Sequence, residues 1–334
     1  HAEQFWNRIF GYSVQKTRWI CAFCRVYERT WYLSTKLLWM YLFDSWGRWL
    51  WAQTAHGWVA YNIQTIFKMP KISVIMPNYN AWKYISEAIQ GILNQTFTDF
   101  EFIIIDDCST DNSWEIIQEF AKKDERIVAL RNDENLKICK TLNKGLELAK
   151  WEYIARMDSD DIAMDIWLEN VYQKISQNEK IGVCGSNFWI IDSNGKILKE
   201  KTFPETEKEA KNAIWLRNPF AHNTVIFRKS CYEEFGWYDD NFLYAEDLEL
   251  WIRYGQKYEF YNIQKNLVKY RIFGENSILK KQKQMIKNTL LARKKAKKLD
   301  YKMNLKARFY YFGTWCMQFL PPKFVLWLFN KLQG

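Results

Sequence analysis

Short apolar runs alternate with helical stripes from Ile72 to Met157, and this alternation limits the possible folds more than any other feature. Apolar runs of roughly four to eight residues between turn residues are typical of strands buried on both faces. The predicted elements are strand 72–76, helix 82–94, strand 100–105, a helix ending at Phe120, strand 126–130, helix 136–150 and strand 151–157. Strands that alternate with helices over short connections form parallel sheets. The sequence therefore predicts an α/β fold with a mostly parallel, doubly wound sheet.

Three acidic residues, Asp158, Asp160 and Asp161, follow the last of these strands directly. Carboxylates this close repel one another unless a cation or solvent compensates their charge. A hard divalent cation such as Mg²⁺ or Mn²⁺ prefers oxygen ligands and is often shared with substrate phosphates. Because such sheets bind ligands at the carboxyl ends of their strands, the segment predicts a nucleotide-phosphate site. The alternative is a solvated acidic turn that caps the next helix.

Two other strand ends, Pro77–Asn80 and Asp106-Asp107, fall at the same edge of the predicted sheet. The sequence contains neither G-x-G-x-x-G nor G-x-x-x-x-G-K-[ST], the glycine-rich loops that hold phosphates. A nucleotide bound at this edge would therefore need a metal to neutralise its phosphates. The elements predicted further along are helix 165–177, strands 182–191 and 196–199, helix 207–216, strand 223–227, a helix opened by Glu246-Asp247, and strand 267–272.

Residues 1–68 differ from the rest, because they are crowded with Trp, Tyr and Phe and contain no proline. Apolar and aromatic residues recur at helical spacing, for example Leu38, Leu42 and Trp46, while charges interrupt every long apolar run. We predict two or three amphipathic helices that contact a membrane surface, a partner or the globular body, with possible self-association through them. Met69-Pro70-Lys71-Ile72 is typical of the start of an enzyme, so we interpret residues 1–68 as an added or engineered segment and residues 69–275 as the enzyme domain.

The positive charge is concentrated in the third segment, residues 276–334. The chain has a formal net charge of +10, and twelve Lys and Arg residues lie between Lys280 and Arg308 against a single acid, Asp300. The rest of the chain is close to neutral, which argues against a nucleic-acid-coating protein. The basic helix is followed by aromatic stretches at Phe309–Leu320 and Phe324–Phe329. This pattern predicts helices that anchor on an anionic membrane surface or, alternatively, pack on the domain with a solvated Lys face.

The cysteines and the N-terminal composition bear on the compartment. Seven cysteines are scattered singly except for Cys21-x-x-Cys24, which lacks the second pair or His pair of a zinc site. We interpret them as reduced thiols. No basic region followed by an uninterrupted apolar stretch marks a signal peptide. The expected location is the cytoplasm, at the inner face of the cell membrane.

The region from about residue 70 to 275 resembles family 2 glycosyltransferases with the GT-A fold, and six segments within it match the family. They are Ser73–Asn80, Asn94–Glu101, Ile104–Asp111, Arg156–Asp161, His222–Arg228 and Ala245–Trp251. Their order and spacing are more specific than any single D-x-D. Where relatives often carry Gly, this chain has Lys137, which would contact phosphate or face solvent.

The resemblance implies transfer of a sugar, with inversion, from a nucleotide diphosphate sugar to an acceptor hydroxyl. Asp160 would bind Mn²⁺ or Mg²⁺ directly, and Asp158 would contact the ribose or reach the metal through water. Asp107 would hold the nucleobase, with Pro77 and Tyr79 beside it. The expected donor is a UDP-sugar, and the acceptor a cell-surface glycan or lipid-linked saccharide.

Asp247 would be the general base that takes the proton of the attacking hydroxyl. A helix N-terminus keeps a carboxylate ionised, so burial or the neighbouring Glu246 would have to raise its pKa. The alternative for Asp247 is a purely structural role at the helix start. His222 would contact the metal or diphosphate, or else act as a core residue. Arg253 and Arg271 would meet phosphate or form surface ion pairs.

Two rival functions remain open at this point. A nucleotidyltransferase also joins a parallel sheet to paired carboxylates, but it normally brings a glycine-rich basic loop that this sequence lacks. A membrane-surface binding protein on an inactive GT-A scaffold is the second. The presence of all four acidic residues, Asp107, Asp158, Asp160 and Asp247, argues against it.

Overall fold

The computed structural model describes residues 71–272, 276–299, 301–321 and Phe324, together with the backbone of residues 42–43, 49–54 and 57–62. The chain divides into two compact units, residues 1–69 and 70–334. In the first unit, β1 (Leu42–Phe43), β2 (Trp49–Thr54) and β3 (Gly57–Asn62) form a three-stranded sheet. The prediction of helices is wrong for these stretches. Their aromatic and β-branched residues favour strands, and pairing of Thr54 with Gly57 closes a two-residue hairpin loop.

The second unit is built on a nine-stranded mixed sheet, and its first half follows the predicted alternation of strands and helices. The elements are β4 (Ile72–Asn78), α1 (Ile85–Leu93), β5 (Phe100–Asp106), α2 (Ser113–Lys123), β6 (Ile127–Arg131), α3 (Lys137–Leu148) and β7 (Tyr153–Arg156). These four strands pair in parallel, in the spatial order β6-β5-β4-β7. The doubly wound parallel half is confirmed.

The second half adds antiparallel pairs. It comprises β8 (Ile162–Ala163), α4 (Trp167–Ser176), β9 (Ile181–Ile191), β10 (Ile197–Lys201), α5 (Glu207–Ala213), β11 (Ile226–Arg228), α6 (Lys229–Phe235), α7 (Glu246–Tyr254) and β12 (Glu259–Arg271). The sheet continues from β7 in the order β11-β9-β12-β8, with β10 paired to β9. Strand β11 runs antiparallel to both neighbours, whereas β9 and β12 are parallel. The predicted hairpin between β9 and β10 is confirmed, with the Asp192 carboxylate accepting from the backbone N–H of Asn194 and Lys196.

Side chains of the central strands alternate between two cores. Ile72, Val74 and Met76 of β4 face the core shared with α1, α2 and α4, while Ile75 faces the core shared with α3 and α7. This period of two follows from strand geometry, because successive side chains point to opposite faces of the sheet. Burial on both faces explains why β4 reads as one continuous apolar run.

The C-terminal segment is part of the second compact unit. Helix α8 (Asn276–Lys298) places Ala292 and Ala296 in the core beside α7, and α9 (Leu305–Met317) adds Ala307. The Lys295 ammonium binds the buried Glu249 carboxylate of α7. The predicted tail helices therefore pack on the enzyme body through one side. The remainder of the predicted aromatic stretch, residues 325–329, lies outside the described residues.

Candidate active site

The loop after β7 brings three carboxylates together. Asp158, Asp160 and Asp161 each offer an oxygen, and these oxygens lie within 4.8 Å of one another. Asp161 is almost completely buried and accepts hydrogen bonds from the Asn223 amide (2.5 Å) and the Arg271 backbone N–H (2.7 Å). Asp161 therefore anchors the loop to two other segments of the sheet edge, and the two carboxylates of the D-x-D remain at the opening.

Arg156, the last residue of β7, compensates part of this negative charge. Its guanidinium is buried and binds both oxygens of Asp158, one of them at 2.7 Å. Residues two apart in an extended chain point to the same side, which places Arg156 and Asp158 together. Asp160 has no such partner among the described side chains, and its pKa is raised to about 7 by burial and by the charge of Asp158. Asp160 is therefore the carboxylate of this loop that is left for a cation.

A second acidic pair, Glu246 and Asp247, opens α7. The Asp247 carboxylate accepts from the Asn218 amide at 2.5 Å and from the Leu248 backbone N–H at 2.7 Å. Burial raises the pKa of Asp247, while these donors and the charge of Arg156 act in the opposite direction. Burial and the charge of Asp247 raise the pKa of Glu246 to about 7. Burial therefore raises the pKa values of both carboxylates at this helix start, and a raised pKa favours acceptance of a proton.

The charge of Arg156 acts on both acidic groups. It lowers the pKa of Asp160 in the loop and of Glu246 and Asp247 at the start of α7, in each case as a secondary influence. The predicted metal ligand and the predicted general base therefore both feel the charge of one buried guanidinium.

Asp107, directly after β5, organises the loop between β6 and α3. Asp107 accepts from the Asn132 amide (2.8 Å) and from the backbone N–H of Leu136 (2.8 Å) and Lys137 (2.9 Å). These three contacts hold the loop that leads into α3. Contact of Asp107 with a nucleobase stays a prediction.

Pro77 and Tyr79 lie at and just beyond the end of β4. Pro77 is buried within the strand, and the Tyr79 side chain is half exposed beyond it. An exposed ring at the carboxyl edge of a parallel strand is available to a ligand, which is where such sheets bind them. Contact of either residue with a nucleobase stays a prediction.

Backbone conformation sets these loops apart. The non-glycine residues with positive φ in the described part of the chain are Asn80, Cys108, Lys137 and Tyr244. Asn80 and Cys108 follow β4 and β5, whereas Lys137 is the first residue of α3 and Tyr244 lies two residues before α7. Left-handed φ is costly for side-chain-bearing residues and tends to concentrate at functional sites. The strain lies in the loops predicted to form the site.

Comparison with known proteins decides the family. Residues 73–235 match the model of Glycosyl transferase family 2. An uncharacterized glycosyltransferase of Methanocaldococcus jannaschii is 34% identical over 267 residues, which cover 77% of this chain and 91% of the relative. The chain is a family 2 glycosyltransferase. The GalNAc(5)-diNAcBac-PP-undecaprenol beta-1,3-glucosyltransferase of Campylobacter jejuni is also similar, with 31% identity over 217 residues, 63% of this chain and 67% of that protein.

Solved structures confirm the GT-A fold of the glycosyltransferase. S. aureus TarS in complex with UDP-GlcNAc superposes with a TM-score of 0.54 at 22% identity, covering 66% of this chain and 66% of that one. The mannosyltransferase PcManGT from Pyrobaculum calidifontis, in complex with GDP-Man and Mn²⁺, gives 0.53 at 16% identity, covering 79% and 80%. Because the chain belongs to the family 2 glycosyltransferases, the nucleotidyltransferase alternative is wrong.

Three residues considered from the sequence have internal partners in the glycosyltransferase. His222 Nε2 is 2.7 Å from the Tyr238 hydroxyl, and burial followed by the charge of Arg156 holds its pKa well below the ordinary value. Arg253 binds Glu249 and the carbonyls of residues 235–237. Arg271 binds Glu87 and carbonyls of the 160–193 region. These arginines hold loops and helices of the site in place through internal contacts.

Sequence reasoning missed Arg156 and Asn218 as parts of the site. Arg156 belongs to the recognised Arg156–Asp161 segment, and its spacing of two from Asp158 was an available signal. Asn218 lies 29 positions before Asp247, in a connection without a motif. No local pattern could have paired them.

Proposed function

We propose that the chain transfers a sugar from a nucleotide diphosphate sugar, with a UDP-sugar as the expected donor, to an acceptor hydroxyl with inversion. The observation that carries the proposal is the pair of acidic groups around Arg156. The first group contains Asp160, whose carboxylate forms no ion pair with a described side chain. The second contains Asp247, whose carboxylate is made more basic by burial. In-line displacement at an anomeric carbon needs charge compensation at the leaving diphosphate and a proton acceptor at the attacking hydroxyl.

The donor side of the proposal rests on the D-x-D loop. The carboxylate oxygens of Asp158, Asp160 and Asp161 suit a hard divalent cation, since such ions prefer oxygen ligands. Asp160 would hold the ion directly. Asp158, already shared with Arg156, would reach it through water or contact the ribose. A bound Mn²⁺ or Mg²⁺ would supply Lewis-acid compensation of the diphosphate charge. PcManGT, with its bound GDP-Man and Mn²⁺, supports this use of the GT-A fold.

The acceptor side rests on Asp247. Its two oxygens are oriented by the Asn218 amide and the Leu248 N–H, which fixes the carboxylate without protonating it. Asp247 would take the proton of the acceptor hydroxyl as the new glycosidic bond forms. Glu246 is the competing candidate, because its Oε2 is buried without a hydrogen-bond partner in the described structure and its pKa is raised to about 7. A pKa near the working pH suits a general base.

The acceptor we propose is a lipid-linked saccharide of a cell-surface glycan, which places the enzyme at the inner face of the membrane. Two observations support this: the basic C-terminal segment and the similarity to the Campylobacter jejuni enzyme, whose name gives an undecaprenol-linked substrate. No helix in the described part of the chain is long and apolar enough to cross a bilayer. The proposed association is therefore with the surface of the membrane.

Nucleotide release tests the reaction. UDP-sugars and GDP-mannose are first ranked by thermal shift with Mn²⁺, and release of nucleotide is then measured with and without the ion. We expect release that depends on metal, falls at least about 100-fold in Asp160→Asn, and falls comparably in Asp247→Asn. Glu169→Gln, a carboxylate change on the surface of α4, is the control. Equal release from all four chains would refute both assigned roles.

The role of residues 1–68 is a separate proposal, that they are an added segment not required for catalysis. A chain beginning at Met69 tests it. We expect the truncated chain to melt cooperatively, which shows that it is folded, and to retain nucleotide release. Loss of release from a folded chain would make the segment integral. Self-association through residues 1–68 stays a prediction.

A further inference from the structure

The outer face of α9 carries a row of exposed apolar side chains. This aromatic face comprises Leu305, Phe309, Phe312 and Trp315 of α9 and Phe319 just beyond its end, with exposed fractions of 83%, 76%, 59%, 46% and 69%. The rings of Phe312 and Trp315 stack at 5.8 Å, and Trp315 meets Phe319 edge-on at 5.1 Å. Taking about 200 Å² per aromatic side chain, the four aromatic residues of this face expose roughly 500 Å². That is near the upper end of the largest patches on soluble monomers, which are commonly functional.

The opposite face of the same helix explains why the aromatic face is held outward. Ala307 is buried in the core, the Tyr311 ring packs edge-on against Trp215, and the Thr314 hydroxyl accepts from Arg293 at 3.0 Å. Residues 307, 311 and 314 follow helical spacing and lie on one side. Rotation of α9 to hide the aromatic face would break all three contacts. The exposure is therefore set by the fold of the enzyme body.

Charge around the aromatic face favours one kind of partner. Lys302, Lys306 and Arg308 are exposed beside it and have no carboxylate partner in the described structure. Between Lys280 and Arg308 the only acid in the sequence is Asp300. Aromatic rings interleaved with unpaired cations suit the headgroup region of an anionic bilayer, where rings enter the acyl boundary and cations meet phosphates. A protein partner would have to supply a strongly acidic, apolar surface instead.

The length of α9 fixes how it would meet the bilayer. Thirteen residues span about 20 Å, whereas a bilayer core is about 30 Å thick. We infer that α9 lies in the plane of the membrane surface and docks the enzyme on anionic lipid through its aromatic face. The role of this docking, which is to bring the active site to a lipid-linked acceptor, rests on the proposed function. The lipid contact itself depends only on the aromatic face and the cations beside it.

The docked helix is connected rigidly to the catalytic elements. Lys295 of α8 binds Glu249, two residues beyond Asp247, and the Asn288 amide donates to the Leu243 carbonyl at 2.9 Å just before α7. The Tyr301 hydroxyl donates to the Ile252 carbonyl of α7 at 2.9 Å. These contacts tie α7 to the segment that leads into α9. Lipid binding through α9 would therefore hold the general base at a set height above the membrane.

Vesicle flotation of the full chain tests the inference. Vesicles of phosphatidylcholine alone are compared with vesicles that also contain phosphatidylglycerol, at low and high salt. The double variant Phe309→Ser/Phe312→Ser is expected to lose at least about tenfold in affinity for anionic vesicles. Lys306→Glu/Arg308→Glu is expected to remove the preference for phosphatidylglycerol and the salt dependence. The matched control is Ile197→Ser/Leu198→Ser, which changes two half-exposed apolar residues on β10.

Three results would overturn the inference. One is unchanged flotation of the Phe309→Ser/Phe312→Ser variant at an unchanged melting temperature. Another is equal loss in the β10 control. The third is a dimer in lipid-free solution that the aromatic variant dissociates, which would assign the face to a second copy. Metal-dependent nucleotide release in lipid-free buffer, measured on the same variants, is expected to be unchanged. Failure of the proposed reaction would abolish that release in the unmodified chain and leave flotation intact.

Discussion

The two carboxylates that open α7 should respond differently to loss of charge. Asp247 has a donor for each oxygen, whereas Glu246 Oε2 has none in the described structure. We therefore compare Glu246→Gln with Asp247→Asn, which both keep the shape of the side chain. The comparison separates the cost of a buried charge from its use in catalysis.

The effect of Glu246 on stability follows from its raised pKa. A glutamate in the unfolded chain titrates near 4.5, and burial raises the pKa of Glu246 in the folded protein to about 7. Between these values the folded state binds a proton that the unfolded state has lost, so the free energy of unfolding falls as pH rises. Above the folded pKa the buried charge costs about 3 kcal/mol. Glu246→Gln should remove this cost and be more stable than the unmodified chain at pH 8, with little difference at pH 4.

Asp247→Asn should gain less stability at pH 8 than Glu246→Gln, because the new amide would face the Asn218 amide donor until one of them reorients, which costs about 1 kcal/mol. Urea unfolding of both variants at pH 4 and pH 8, followed by tryptophan fluorescence, measures these differences. A Glu246→Gln variant that is no more stable than the unmodified chain at pH 8 would show that the charge of Glu246 is compensated. The account of its raised pKa would then be wrong.

Turnover discriminates the two residues independently. Removal of a general base typically costs about 100- to 10,000-fold in kcat, which is about 3–5 kcal/mol of barrier. We expect this loss in Asp247→Asn, and less than about tenfold in Glu246→Gln if Glu246 acts only through its neighbour. The assay is nucleotide release at saturating donor and acceptor. The reverse ranking, in variants that both melt cooperatively, would transfer the role of general base to Glu246.

Four further changes have defined outcomes. Asp160→Asn should abolish metal-dependent nucleotide release without loss of stability, because it removes a carboxylate whose charge burial disfavours. Asp158→Asn should lower the free energy of unfolding by about 3 kcal/mol in a urea titration, since it leaves a buried guanidinium without its anion. Gly182→Ala would place a Cβ 2.4 Å from Cβ of Tyr258 and should cost about 1–3 kcal/mol. Gly313→Ala, on the open side of α9, should gain about 0.5–1 kcal/mol in the same titration.

The sequence predicted the parallel half of the sheet correctly, because strands that are buried on both faces appear as continuous apolar runs. Strands β4 and β5 read as continuous apolar runs, and their ends identified the loops that carry Tyr79 and Asp107. It was not sufficient for the antiparallel part. Strand β11 has only three residues, and its insertion between β7 and β9 depends on pairings far apart in the chain.

In the first unit, apolar residues at helical spacing led to a wrong prediction of helices for stretches that form strands. Leu42, Trp46 and Trp49 have helical spacing, but Trp49 and Trp51 also alternate with a period of two, as do Trp58 and Ala60. Short apolar stretches satisfy both periods, and only length or flanking turns separate them. In the structure the period of two prevails, because β2 pairs antiparallel with β3 from the Trp49–Asn62 pair to the Thr54–Gly57 pair.

The site depends on long-range charge compensation that no local pattern records. Arg156 neutralises Asp158 and at the same time lowers the pKa of Asp160 and Asp247. A neutral residue at position 156 would therefore leave the D-x-D loop with uncompensated repulsion and would raise the pKa of the general base. The charge of the buried guanidinium thus favours the ionised forms of both Asp160 and Asp247. A single side chain thus couples the electrostatics of the donor site to those of the acceptor site.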